Sequence, residues 1–171
     1  MKKWMFLSPL LAFIMLLIPG RAFSQHKDPC TYIRQDGRRA TVCLHEKSDT
    51  SSVLQYWIED SLSSEWEIDA PTYRLCIGDV TGNGIPDIGV GVFKSTRYSR
   101  VKGNRLWLFK LFEEQLIRPL LLSSRVGHEL MDFDMDTGVY PAQIHTWERD
   151  ASGDVVEHQY RHKGFQLKYL Y

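Results

Sequence analysis

Tyr73-Arg74-Leu75-Cys76-Ile77-Gly78-Asp79-Val80-Thr81-Gly82-Asn83-Gly84-Ile85-Pro86-Asp87-Ile88-Gly89-Val90-Gly91-Val92-Phe93 reads as strand, loop, strand. The outer segments are short, apolar and rich in β-branched residues, and the centre is punctuated by glycine. Counted from Asp79, oxygen-bearing side chains fall at the first, third, fifth and ninth places: Asp79, Thr81, Asn83 and Asp87. A short loop with that spacing can wrap a hard cation such as Ca²⁺, which takes six to eight oxygen ligands. A metal-free reading is a tight turn in which Asp79 and Asn83 satisfy backbone donors.

The second strand adds a packing expectation. Ile88, Val90 and Val92 share one face, and Gly89, Gly91 and Phe93 share the other. Two glycines on one face let a neighbouring backbone or sheet come close, which favours stacked sheets over one open, solvated sheet.

Outward from this stretch, period-2 patterns and turn residues predict further strands. They run over Thr31–Gln35, Arg39–His45, Ser52–Ile58, Glu65–Ile68, Arg105–Phe112, Gln115–Leu121, Leu130–Asp134, Tyr140–Glu148, Val155–His162 and Phe165–Leu170. The helix candidate is a weak one around Tyr56–Leu62. The expected fold is all-β and antiparallel, built of small blade-like sheets. A shift of 55 positions brings Leu75 onto Leu130, Asp79 onto Asp134 and Pro86 onto Pro141, a faint internal repeat. Gly138 and Ala142 then replace Asn83 and Asp87, so the second copy lacks those ligands.

Residues 1–24 read as a secretory signal peptide. Lys2 and Lys3 precede a run from Trp4 to Ile18 that is mostly apolar, and Ala22-Phe23-Ser24 offers small residues for cleavage. That run is too short to span a bilayer, and no second stretch of spanning length follows. Cleavage after Ser24 leaves 147 of 171 residues, read as a single β domain over 25–171, with 18 basic and 21 acidic residues. The balance argues against a dedicated nucleic-acid or anionic-membrane binder. One basic cluster, Lys94, Arg97, Arg100, Lys102 and Arg105, flanks Gly103-Asn104 and reads as a solvated hairpin tip. A dock for an acidic partner or glycan is the other reading.

Export supplies an oxidising compartment. If Asp36-Gly37 forms a two-residue hairpin loop, Cys30 faces Cys43. A disulfide there would stabilise by about 3 kcal/mol on the chain-entropy picture. Cys76, inside an apolar run, is expected to be a buried free thiol.

The run from Gly78 to Gly84, followed by Pro86-Asp87-Ile88 and Val90-Gly91, resembles the core of an FG-GAP or VCBS repeat. That is the blade motif of integrin-α-type β-propellers and of many secreted bacterial proteins. The stretch Ile117–Arg125 is similar to exported bacterial proteins that carry such a loop. The resemblance covers about fifteen residues and implies Ca²⁺ held by Asp79, Thr81, Asn83 and Asp87 with the main-chain carbonyl of Ile85. It departs from the family pattern in lacking the upstream Phe-Gly. Thr81 and Asn83 also leave only two formal charges, which places the affinity on the order of 10⁻⁴–10⁻³ M. Propellers have about four to eight blades. This chain is too short for a closed one, so it is either a compact stack of two or three blade-like sheets or a piece completed by oligomerising.

Other constellations have ordinary readings. Asp132, Asp134 and Asp136 alternate with Met131, Phe133 and Met135, which places the carboxylates on a wet strand face. His158 and His162 share a face but lie about 13 Å apart, too far for one zinc ion. Glu113-Glu114 reads as a hairpin turn, and the aromatics Tyr56, Trp57, Trp66, Trp107 and Trp147 as packing. No catalytic set emerges. The expectation is a non-catalytic exported β-module, periplasmic or secreted, with a structural calcium loop and a cell-envelope or extracellular interaction role. A glycan or an envelope protein is the expected kind of partner, with no nucleic acid. The alternative is a carbohydrate- or protein-binding adhesion module.

Overall fold

The computed structural model describes residues 27–96, 99–122 and 126–171. The expected signal peptide lies outside the described residues. Twelve strands follow one another, with no helix among the described residues. They are β1 (Cys30–Ile33), β2 (Arg39–Ser48), β3 (Ser51–Ile58), β4 (Ser61–Ile68), β5 (Thr72–Gly78), β6 (Asp87–Thr96), β7 (Ser99–Phe112), β8 (Leu116–Leu121), β9 (Glu129–Asp136), β10 (Gln143–Arg149), β11 (Val155–Lys163) and β12 (Gln166–Tyr169). Every predicted strand is present, though β4 and β7 begin well before their expected starts at Glu65 and Arg105.

The strands form three antiparallel four-stranded sheets, β1–β4, β5–β8 and β9–β12, each in simple up-and-down order. None closes into a barrel. The helix candidate around Tyr56–Leu62 is instead the end of β3, a turn at Glu59-Asp60 and the start of β4. The period-2 burial of Leu54 and Tyr56, both fully buried, outweighs the local helical pattern.

Two apolar cores meet the two faces of the middle sheet. On one side Ile88, Val90, Val92 and Phe109 pack against Val42, Leu54 and Tyr56 of the first sheet. On the other, Cys76, Leu106 and Leu108 pack against Phe133, Met135 and Ile144 of the third. The glycine face of β6 belongs to this second core. A Cβ at Gly89 would lie 2.8 Å from Cys76 Sγ and 2.9 Å from Met135 Cε, so only glycine lets the sheets meet there.

The outward faces of the end sheets mix polar and apolar residues. Thr41, Cys43 and His45 lie across from Trp57, Gln55 and Val53 on the first. On the third, His145 and Trp147 lie across from Gln159 and Glu157. Trp147 Nε1 donates to Glu157 Oε1 at 3.1 Å, and His145 Nε2 is 3.3 Å from Glu157 Oε2.

Three sequence expectations need correction. The β1–β2 loop holds three residues, Gln35-Asp36-Gly37, closed by Arg34 N donating to Arg38 O at 2.9 Å. Gly37 takes φ +82°, a turn that adds one residue to the two-residue form. The register therefore moves by one, and Cys30 faces Val42. Cys43 points to the opposite face of the sheet, so no disulfide joins them, and all three cysteines are free. Secondly, Lys94 pairs with Gly103 and Phe93 with Asn104, so Gly103-Asn104 lies within β7 and is not a hairpin tip. Thirdly, Asp132 is only 3% exposed. Its carboxylate takes two hydrogen bonds from the Arg74 guanidinium, because β9 is the edge that meets β5 of the middle sheet.

Candidate metal-binding loop

The residues from Asp79 to Pro86 connect β5 to β6. The Asp79 carboxylate organises the loop. Its Oδ1 accepts from Gly82 N (2.7 Å), Asn83 N (3.1 Å) and Thr81 Oγ1 (3.3 Å), and its Oδ2 accepts from Gly84 N (2.7 Å). Gly82 and Gly84 have φ +76° and +82°, a backbone that turns successive amides inward and that side-chained residues resist. At the far end Asp87 Oδ2 accepts from Thr81 N at 2.9 Å. Thr81 therefore bridges the two carboxylates. Asn83 Oδ1 is engaged by the amide of Ile85 at 2.8 Å, and the Ile85 side chain packs against the first core.

Asp87 is 1% exposed, and burial raises its pKa to about 6, with the charge of Asp79 adding to the rise. Among the described residues no basic side chain forms an ion pair with Asp79 or Asp87. The donor set expected from the sequence is two carboxylates, a hydroxyl, an amide oxygen and a main-chain carbonyl, all oxygen. That chemistry fits Ca²⁺ or Mg²⁺ and not a thiophilic metal. An ionised carboxylate has about four lone-pair sites, so Asp79 Oδ2, with one donor, retains capacity for a cation. Among the described residues no three His, Cys, Asp or Glu side chains gather as a metal cluster, so a cation here would rest on two acids and neutral oxygens.

Sequence reasoning missed what the loop rests on. The β9–β10 turn covers it from the third sheet. Ala142 N donates to the main-chain oxygen of Asp79 at 2.8 Å, and Tyr140 Oη donates to Gly82 O at 2.8 Å. A Cβ at Gly82 would be 2.8 Å from Pro141 Cγ. The matched Pro86 and Pro141 hinted at a related turn, but nothing in the spacing said that the two turns touch.

A second polar constellation was also invisible. Glu148 is fully buried, and its Oε1 accepts from Thr146 Oγ1 (2.6 Å) and Tyr160 Oη (2.9 Å). Its Oε2 accepts from His128 N (2.6 Å), while Tyr160 Oη accepts from Gly127 N (2.8 Å). Burial raises the Tyr160 pKa to about 12. The His128 and His158 rings stack at 5.6 Å, and with Tyr160 and Tyr169 they line a cavity of about 510 Å³. His158 stacks here, while His162 lies opposite Leu167 of β12.

No protein-family model matches this chain, and neither a curated protein nor a solved structure does.

Proposed function

We propose that the chain is a non-catalytic exported β-module, periplasmic or secreted, whose Asp79–Asp87 loop takes one structural Ca²⁺ through Asp79, Thr81, Asn83, Asp87 and the Ile85 carbonyl. One observation carries this reading: two carboxylates on one loop share Thr81 and have no basic counter-charge among the described residues. The cation supplies that charge and fixes the angle between β5 and β6. Because the same loop holds the β9–β10 turn, the ion braces the contact between the middle and third sheets. Such a module serves in cell-envelope or extracellular contacts, where millimolar calcium suits a weak site.

The test compares melting in millimolar CaCl₂ and in excess EDTA, for the parent and for Asp87→Ala. Ligand at about 100 times Kd adds about 2.7 kcal/mol by mass action. The parent gains that increment and the variant does not. Equal melting of the parent in both buffers leaves the loop as a turn only.

The cavity beside His128, His158 and Tyr169 favours a second reading, a carbohydrate-binding adhesion module, since sugar rings stack on aromatic faces. Titration with neutral oligosaccharides, followed by the histidine and tyrosine ring resonances, tests it. Unmoved resonances at millimolar sugar dismiss it.

A further inference from the structure

The β6–β7 hairpin outruns its sheet. The last β5 pair is Thr72 with Val92, and the last β8 pair is Leu121 with Leu108. Beyond them β6 and β7 continue as a two-stranded ribbon to Thr96 and Ser99. Within it Lys94 pairs with Gly103 and Thr96 with Ser99, so Arg100, Val101 and Lys102 stand opposite the single residue Ser95. This is an enlarged bulge, the device by which a strand re-aims side chains. Arg105 braces it, donating from Nη2 to Val101 O (3.3 Å) and from Nη1 to Asn104 O (3.0 Å). The bulge pushes an apolar residue, Val101 at 76% exposure, into water between two exposed cations. Phe93 on the facing strand is 44% exposed.

The opposite end of the stack is acid-rich. The β1–β2, β5–β6, β7–β8 and β9–β10 loops meet there through Arg34 with Glu114 and Tyr140 with Gly82, and they bring Asp36, Asp79, Asp87, Glu113, Glu114 and Asp136. Arg34 and Arg38 offset Asp36 there, and at the ribbon's end Lys94 pairs with Asp69, so the two ends differ in local patches and not in a net separation of charge. An anionic surface attracts the local patch of exposed cations, Arg100 and Lys102.

We infer that the ribbon docks on an anionic lipid surface, with Arg100 and Lys102 at the headgroup phosphates and Val101 entering the interface. An exposed valine between two cations distinguishes lipid from a soluble polyanion, which has no apolar layer to receive it. This docking is independent of the calcium loop, and the assay in EDTA keeps the two apart.

The test is co-sedimentation of the full chain with phosphatidylcholine vesicles and with vesicles of equal phosphatidylcholine and phosphatidylglycerol, in EDTA. Binding is expected only to the anionic vesicles and is expected to fall with salt. Each cation removed lowers partitioning roughly fivefold, so Arg100→Gln with Lys102→Gln lowers it roughly thirtyfold. Val101→Ser weakens vesicle binding while leaving any retention on dextran sulfate unchanged. These positions are exposed, so unchanged melting of each variant certifies the comparison. Equal partitioning of parent and double variant overturns the inference. So does binding to dextran sulfate with none to anionic vesicles, which would make the ribbon a polyanion site.

Discussion

Ala142 donates its amide hydrogen to the main-chain oxygen of Asp79 at 2.8 Å, so the third sheet is fastened to the loop of the second by the residue whose side chain organises that loop. Asp79→Ala removes the acceptor for the amides of Gly82, Asn83 and Gly84. Those amides are partly solvated, so the expected loss is about 2 kcal/mol even without calcium. Urea unfolding in EDTA measures it. A variant as stable as the parent would show that the glycine backbone closes the loop unaided.

Thiol titration checks the shifted register of β1. Cys30 and Cys43 are half-buried and Cys76 is buried. Burial raises the thiol pKa of all three, most of all for Cys76. A thiol-specific reagent should label Cys30 and Cys43 slowly in the native protein and Cys76 only on unfolding. Peptide mapping without reductant should recover no Cys30–Cys43 crosslink. Finding one would require the hairpin to slip by a residue.

Arg74 and Asp132 form a pair between the middle and third sheets, with side chains 12% and 5% exposed. Asp132→Leu strands a largely buried guanidinium, and the expected cost is about 3–5 kcal/mol. The double change Arg74→Met with Asp132→Leu should cost less than the single one, because desolvation of both charges is relieved together. A double-mutant cycle in urea decides; additive costs would mean that the pair does not interact.

Glu148 fastens the segment before β9 to the third sheet. Tyr160→Phe removes one donor to the carboxylate and leaves Gly127 N without its acceptor. A loss of about 1–3 kcal/mol follows. Hydrogen exchange at Gly127 and His128 should quicken more than exchange in β10. Uniform quickening would point to global destabilisation only.

His162 gives a pH dependence of known sign. Its Nε2 is buried without a partner, and burial lowers its pKa below the ordinary 6.5. The unfolded chain then binds the proton more readily than the folded one. Stability from this group is full above about pH 6.5 and declines as the pH falls below it towards the lowered folded value. His162→Gln should flatten that part of the urea-midpoint profile; an unchanged slope assigns it to other groups.

Strand positions were legible because each strand announces itself by alternation and each turn by Gly, Asn or Asp. Leu54 and Tyr56 turn inward as period 2 requires, and Gly89 marks where two sheets meet. Register was not legible where one turn residue decides it: Asp36-Gly37 suits a two-residue and a three-residue loop equally, and the disulfide expectation rested on that choice. Nor was Asp132 legible. Alternation assigns it to water, and only the approach of β5 to β9 supplies Arg74. For the loop, the spacing from Asp79 to Asp87 put Asp79, Thr81 and Asp87 on one short segment, and hydrogen bonds through Thr81 join the two carboxylates. That Tyr140, Pro141 and Ala142 form its outer wall depends on how two sheets stack, which no local pattern encodes.

The up-and-down order of all three sheets has a consequence for assembly. Each strand pairs only with its neighbours along the chain. The sheets can therefore form in the order in which the polypeptide emerges, with short loop closures and little searching. The middle sheet is the exception, since both its faces are apolar and it is complete before β9–β12 arrive to shelter Cys76, Leu106 and Leu108. In that interval the half-built molecule is adhesive towards its own kind, and the risk of aggregation is concentrated in the time needed to deliver the last four strands.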